Sequence, residues 1–448
     1  MFIMKERISL NNFSDLLGVS RATVDKWISS GKFAVQYDEN GKGFLRIEDI
    51  KEVREISDML SSKWTEEKET SPAREFTSIE LFAGAGGLAL GMEKAGFTHV
   101  LLNEVDSDAC ATLRKNRPKW NVIQGDIHEI DFTEFKDKVD FLSGGFPCQA
   151  FSYAGKRLGC EETRGTLFFE LARAVKEIQP KVFLGENVKG LFEHDGGKTL
   201  ETIKNVIKEL GYTLIEPRVL KAIQYDVPQK RERLILVAIR NDIAPFVSFK
   251  WPDVCPEIRT LRDAFFAGDL YPTDVPASDG QKYPESKRKV MELVPEGGDW
   301  RDLPESIARD YMKRSYDLGG GKTGMARRLS MDEPSLTLTC APAQKQTERC
   351  HPIETRPLTV REYARIQTFP DEWDFCGSLS SQYKQIGNAV PVNLSWAVGR
   401  SLIRLFNDIA QKFPNLFESK SKTTLPKVYT HLHGIFEGMV CDDEEKYK

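Results

Sequence analysis

Apolar residues along this chain recur with two different periods, and the change between them divides it into zones. From Phe76 to Ile239, short apolar runs of strand length alternate with longer stretches of helical spacing. Ser78–Phe82, Val100–Leu102, Val122–Ile123, Val139–Leu142, Val182–Leu184 and Leu234–Ile239 predict strands, while Leu167–Ile178 and Leu200–Leu210 predict helices between them. That alternation predicts an α/β fold built on a doubly wound, mostly parallel sheet. After Trp251 the periodicity fades into Pro-, Gly- and Asp-rich sequence that includes Gly319–Gly321, which predicts a smaller, loop-rich module. Helical spacing returns at Thr359–Thr368 and Val392–Ala410.

Upstream of the first strand the pattern is different. Phe13–Ser20 reads as a helix, a glycine turn and an N-cap serine, and a second helix follows through Arg21–Ile28. Gly41-Lys42-Gly43 reads as a hairpin tip, and Ile47–Ile50 as the start of another helix. This layout resembles the winged helix-turn-helix units of the MerR/excisionase type, which would allow a second DNA contact. Nine basic and ten acidic residues over 1–60 give that contact no electrostatic support, and a packing or dimerisation cap is the alternative reading of the unit. The expected organisation is a helix-turn-helix-like unit at 1–60, a polar linker at 61–75, a catalytic domain at 76–250 and a recognition module at 251–382. A return to the catalytic domain at 383–412 and a tail at 413–448 complete it.

Bulk properties exclude several classes. At 448 residues, 40% apolar and 29% charged, the chain has the make-up of a globular protein of two or three domains rather than a disordered one. No apolar run approaches the roughly 20 residues needed to span a bilayer, and Met1–Arg7 has no signal-peptide layout. The eight cysteines are scattered without a C-x-x-C pair, so neither a zinc site nor a disulfide framework is expected. A cytoplasmic location follows. The net charge of −4 argues against non-specific coating of nucleic acid, but eight Lys/Arg against five acids over 309–349 leave room for a phosphate-facing surface.

Candidate chemistry gathers at predicted strand ends, where open α/β sheets bind ligands. Gly84-Ala85-Gly86-Gly87-Leu88-Ala89 follows the first strand in the G-x-G-x-x-A form, with Phe82 just before it. Glu104 lies 20 residues after Gly84 at the end of the second strand, placed to bind ribose hydroxyls, and Asp126-Ile127 ends the third, placed to meet an adenine amine. These elements suit NAD or S-adenosyl-L-methionine; Phe82 and the cysteine 44 residues beyond Glu104 favour the second. Pro147-Cys148-Gln149 follows a fourth strand and sets a thiol in a rigid turn. Glu186-Asn187-Val188 closes the next, and Gln229-Lys230-Arg231-Glu232-Arg233 precedes the sixth.

Together with Arg356–Pro370 and the Gly387-Asn388 block within Tyr383–Val392, these blocks resemble, in order and over roughly residues 76–410, the DNA (cytosine-5)-methyltransferases of bacterial type II restriction–modification systems. The resemblance implies a Rossmann-like S-adenosyl-L-methionine-dependent catalytic domain, a smaller target-recognition domain, and duplex DNA held between them. It implies methylation of C5 of a flipped cytosine, protecting host DNA from a cognate endonuclease, by a monomer that uses no metal. By its motifs, Cys148 would add to cytosine C6, Glu186 would bind N3 and the exocyclic amine, and Arg231 and Arg233 would hold O2 and nearby phosphates. Phe82, Gly84, Gly86, Glu104, Asp126, Ile127, Pro147 and Asn388 would form the cofactor side. Two positions depart from the family pattern: Val105 stands where an aromatic is common, and Glu80 where an aspartate is common. A tRNA cytosine-5 methyltransferase is the rival within the same fold, and a regulator acting through 1–60 the rival outside it.

Overall fold

The computed structural model describes residues 6–39, 41–146, 167–317 and 323–418. At the N-terminus β1 (Arg7–Ser9) runs into the helix Leu10–Leu17, whose first turn is capped by Ser9 Oγ and whose end is set by Gly18 at φ 73°. Ser20 Oγ accepts from Thr23 N and starts the helix Arg21–Ser29. Then β2 (Gln36–Tyr37) and β3 (Gly43–Arg46) form a hairpin that joins β1 in a three-stranded antiparallel sheet. Phe13, Leu16, Val24, Leu45 and Ile56 are fully buried between sheet and helices, giving the unit its own core.

Residues 61–75 are not the expected polar linker. Their helix Trp64–Lys68 buries Trp64, and the Arg400 guanidinium lies 4.3 Å from that ring and 4.1 Å from Trp396. Glu67 is buried too and pairs with Arg404. One large aromatic is enough to fix a segment whose remaining residues are polar.

The central sheet contains β4 (Phe76–Leu81), β5 (Phe97–Glu104), β6 (Val122–Gln124), β7 (Phe141–Gly145), β8 (Val182–Val188), β9 (Tyr212–Leu214), β10 (Arg218–Lys221) and β12 (Glu232–Arg240). Its order is β10-β12-β8-β7-β4-β5-β6, with β9 also on β12. The five strands from β8 to β6 are parallel, and β12 runs antiparallel to β8. Both faces are covered, as β12 shows: Ile235, Val237 and Ile239 point into one apolar layer, Leu234, Leu236 and Ala238 into the other. From β4 the chain moves outward through β5 and β6, then crosses to β7 and moves the other way. The strand order thus reverses between β4 and β7, the switch point at which such sheets open a crevice at the strands' carboxyl ends.

β11 (Gln229–Lys230) and β13 (Ser335–Leu336) form a separate two-stranded parallel pair. The boundaries expected at 251 and 382 do not match the packing. Leu261, Phe265, Leu358, Tyr363, Ile366, Phe369 and Trp373 share a core with Ala85, Ala89 and Leu102 of the catalytic layer. A distinct smaller core forms around Met291, Val294, Leu303, Ala308, Ala326 and Cys350. The tail also begins later than 413, since Phe417 of the short helix Asn415–Glu418 is buried against Phe76; residues 419–448 and Gly319–Gly321 lie outside the described residues. Among the described residues no helix is long and apolar enough to cross a membrane.

The helix Val392–Lys412 returns along the helix Gly87–Ala95, and the contact is backbone-close. A Cβ on Gly91 would come within 2.3 Å of Ser395 Cβ and 2.7 Å of Trp396 N. Gly91→Val should therefore cost about 1–3 kcal/mol through overpacking and lower the melting temperature in thermal unfolding. Gly268→Ala, where a Cβ meets nothing within 4 Å, should leave it unchanged.

Candidate active site

The crevice opens into a cavity of about 890 Å³ lined from the ends of β4, β5, β7 and β8, from the Arg231–Arg233 strand and from the Thr337–Cys340 and Gly387–Val390 segments. That volume lies in the usual range for sites that enclose a small-molecule ligand.

One half is built from the turn after β4. Phe82 adopts φ 57°, an unfavourable value for a side chain with a Cβ, and Gly84 and Gly86 follow at 54° and 86°. This reversal aims the Gly84 N–H at Glu104 Oε2, 2.7 Å away, while Glu104 Oε1 accepts from Val105 N and Asp106 N at 2.8 and 2.9 Å. Glu104 thus ties the ends of β4 and β5 together and is held in one orientation at the cavity wall. A Cβ on Gly84 would meet nothing within 4 Å, so the turn faces open space. Asp126 Oδ1 accepts from His128 N at 3.0 Å and lies 2.6 Å from His128 Nδ1, which lowers the Asp126 pKa. Ile127 is buried beside it, and Val105 is exposed on the rim. Asn388, at the end of the helix Leu379–Asn388, accepts from Cys340 Sγ at 3.2 Å. An acid at each of two neighbouring strand ends and an open glycine turn fit an adenosyl cofactor such as S-adenosyl-L-methionine.

The other half centres on Glu186. In the parallel ladder Glu186 stands beside Gly145, and in the antiparallel one beside Ile235. Gly145 is required there, because a Cβ at that position would lie 2.8 Å from Glu186 Oε2. Arg233, two residues along β12 from Ile235, brings Nε to 2.7 Å from Glu186 Oε1. Burial pushes the Glu186 carboxyl up, against the opposing pull of Arg233 and Arg231. Glu80 lines the same cavity and is pushed up to about 8 by burial, which favours its neutral form at pH 7.

Pro147 and Cys148 lie outside the described residues, but the backbone leading to them is pinned. Asn187 Nδ2 donates to the Phe146 carbonyl at 2.8 Å, both groups being buried. The sequence marked Asn187 only as Glu186's neighbour. Its position one residue after a strand-end carboxylate was the available signal, since strand alternation turns it toward the adjoining strand end.

Arg231 differs from expectation. It is 2% exposed, and its Nη atoms donate to the carbonyls of Leu338 (3.2 Å), Gly387 (2.9 Å) and Asn388 (3.4 Å). Those donors hold the cavity wall together instead of standing free for a base or phosphate, so Arg233 is the arginine paired with Glu186. Gln229, also missed, receives Leu338 N on Oε1 and donates Nε2 to Gln367 Oε1. Arg328 and Arg349 are likewise buried against backbone carbonyls and give no phosphate-facing surface. Exposed polar residues of that region include Arg309, Lys313, Arg314, Gln344 and Gln346, with the acids Asp310, Asp317 and Asp332 exposed among them. Among the described residues no cluster of three or more His, Cys, Asp or Glu could hold a metal ion.

Comparison with known proteins gives this geometry a family. Residues 76–404 match the model of C-5 cytosine-specific DNA methylases. The chain is 62% identical over 411 residues to the type II methyltransferase M.Eco47II of Escherichia coli, covering 92% of this chain and 98% of that one. It is 58% identical to M.PspPI of Psychrobacter sp. strain TA137, covering 89% and 97%, and 52% identical to M.Sau96I of Staphylococcus aureus, covering 75% and 77%. A crystal structure described as a prophage-encoded DNA modification methyltransferase of E. coli shares the fold, with a TM-score of 0.54 over 74% of this chain and all of that one at 24% identity. The strand-end cavity and these likenesses agree: the chain belongs to the C-5 cytosine-specific DNA methylases and methylates cytosine at C5.

Proposed function

We propose that the two halves of the cavity divide the methylation of a cytosine flipped out of duplex DNA. The observation that carries this reading is the Glu186–Arg233 pair, set beside the anchored Phe146 carbonyl and opening on the same cavity as Gly84, Glu104 and Asp126. The cofactor side consists of Phe82, Gly84, Gly86, Glu104, Asp126, Ile127, Pro147 and Asn388. S-adenosyl-L-methionine, when bound there, supplies an electrophilic methyl group. C5 of cytosine is too weak a nucleophile to accept it unaided. The Cys148 thiolate adds to C6 and converts the ring to an enamine, which makes C5 reactive. Glu186 accepts from the exocyclic amine and shares a proton with N3 as addition at C6 builds negative charge there, and Arg233, locked to it, faces the base carbonyl. Arg231 keeps the wall formed by Leu338 and Gly387 in place. Once C5 carries the methyl group, a base removes its proton and the Cys148 sulfur leaves. A stacked base cannot reach this depth, so the nucleotide must be extruded.

Duplex DNA lies between the catalytic layer and the module around Met291–Cys350, bound by a monomer in the cytoplasm, where methylation protects host DNA from a cognate endonuclease. The helix Arg21–Ser29 leaves Arg21, Ala22, Asp25, Lys26 and Ser29 exposed, which is the surface a second DNA contact by residues 1–60 would use.

Cys148→Ala should abolish methyl transfer and the covalent adduct with 5-fluorocytosine DNA, read by denaturing gel; an adduct surviving the substitution would remove the assigned nucleophile. Glu186→Gln should slow single-turnover methylation by about 10²–10⁴-fold, the usual weight of an acid–base group, while DNA affinity in a binding assay changes far less. Glu104→Ala should raise the KM for S-adenosyl-L-methionine by about tenfold or more, the value of a hydrogen bond to a charged group, with little change in DNA affinity.

A further inference from the structure

The unit at residues 6–60 is held on β11, the short strand that leads into the site arginines. Along Gln229-Lys230-Arg231 the side chains alternate: Gln229 and Arg231 are buried toward the cavity wall, and Lys230 points to the opposite side. There Lys230 Nζ lies 2.7 Å from Asp15 Oδ2 on the helix Leu10–Leu17 and 3.3 Å from Glu333 Oε2. Asn11 Nδ2, from the same helix, donates to Glu333 Oε1 at 2.5 Å. The side chains of Lys230, Asp15 and Glu333 are only 16–20% exposed, so the charges act in a partly desolvated setting.

We propose that Asp15, Asn11, Lys230 and Glu333 form a clasp by which the N-terminal unit positions Arg231 and Arg233 for methyl transfer. The ladder that the clasp spans is short, and the bonds of Gln229 and Arg231 to Leu338 lie beside it. β11 and β13 pair over two residues each, Gln229 with Ser335 and Lys230 with Leu336, so the backbone ladder contributes few bonds. Thr337 Oγ1 adds one more, to the Lys230 carbonyl at 2.7 Å. Yet this short pair leads on one side into Arg231 and Arg233 and on the other into the Thr337–Cys340 wall of the cavity. Glu333 is two residues before β13 and Lys230 is within β11, so the clasp fixes both strands to one helix. A second tie lies close by, where Lys221 Nζ donates to the Leu16 carbonyl at 2.8 Å. Lys221 is the register partner of Glu232, the residue between the two arginines. Val254 and Ile258 pack onto the unit's apolar core and supply the contact area that brings the polar groups together.

Charge makes the proposal asymmetric. Lys230 separates two carboxylates, so removing it leaves Asp15 and Glu333 facing each other with only the weaker influence of Arg327 on Asp15. Removing the charge of Asp15 leaves Lys230 still paired with Glu333. Loss of the lysine should therefore be worse than loss of the aspartate, and combining the two should recover part of the lysine's loss.

The proposal rests on Glu186 and Arg233 acting on the base, and the test separates the two. Full-length protein is assayed on unmethylated plasmid DNA for single-turnover methyl transfer, KM for DNA, melting temperature and trapping on 5-fluorocytosine DNA. Lys230→Met should slow transfer by about tenfold, equal to 1.36 kcal/mol of barrier, with KM for DNA within about twofold. Asp15→Asn should slow it less, Asp15→Glu should restore most of the rate, and Asp15→Asn with Lys230→Met should be faster than Lys230→Met alone. A lower melting temperature with unchanged transfer rate would overturn the proposal by reducing the clasp to packing. A rise in KM alone, growing with salt, would overturn it in favour of direct phosphate contact by Lys230. If Glu186→Gln leaves transfer intact in the same assay, the underlying reading of the base site fails instead.

Discussion

Glu186 is a carboxylate buried at the end of a parallel strand, and it needs a positive partner. Removing one member of a buried ion pair typically costs about 3–5 kcal/mol, so the surrounding structure must supply that partner and keep it there. Arg233 does so only because β12 runs antiparallel beside β8 in a register that sets Glu186 opposite Ile235. Glu186 fits in turn only because Gly145 on the other flank carries no side chain. The reversed strand, the glycine at the end of β7 and the arginine block all serve one charge.

The same site is closed by segments far apart in sequence, and close backbone approach makes this possible. A Cβ on Gly387 would lie 2.3 Å from the Thr339 carbonyl, so the helix Leu379–Asn388 sits directly against the cavity wall. Arg231 bridges both segments with its guanidinium donors. Gln229 and Gln367 continue the tie inward, since Gln367 Nε2 donates to the Ile386 carbonyl at 2.7 Å. The wall is therefore an internal polar network, in which Arg231 Nε is a buried donor left without a partner among the described residues.

Much of this was legible in the sequence, for identifiable reasons. Strands buried on both faces read as continuous apolar runs, and Leu234–Ile239 is one. The glycine turn, Glu104 and Asp126 were found because strand ends in this architecture have fixed chemistry and spacing. Two of the failures share one cause: a polar residue in sequence reads as a solvent-facing residue. Arg231 was expected at base O2 and nearby phosphates, and Arg328 and Arg349 counted toward a basic surface, but all three are buried against backbone carbonyls. Residues 61–75 looked like a linker because the weight of a single Trp64 does not show in a mostly polar stretch. The limits of the recognition module were missed because Tyr363, Phe369 and Trp373 pack across chain distances that local pattern does not report. Cys148 and its turn were placed by motif, with the structure contributing the anchored carbonyl that precedes them.

The position of the transferred methyl group tests the account most directly. Duplex DNA incubated with the protein and S-adenosyl-L-methionine can be digested to nucleosides and resolved by mass spectrometry against standards. A cavity that pairs Glu186 with Arg233 beside the anchored Phe146 carbonyl predicts 5-methylcytosine as the product, absent when Cys148 is replaced by alanine and formed far more slowly when Glu186 is replaced by glutamine. N4-methylcytosine or N6-methyladenine, which require no addition to a ring carbon, would contradict it.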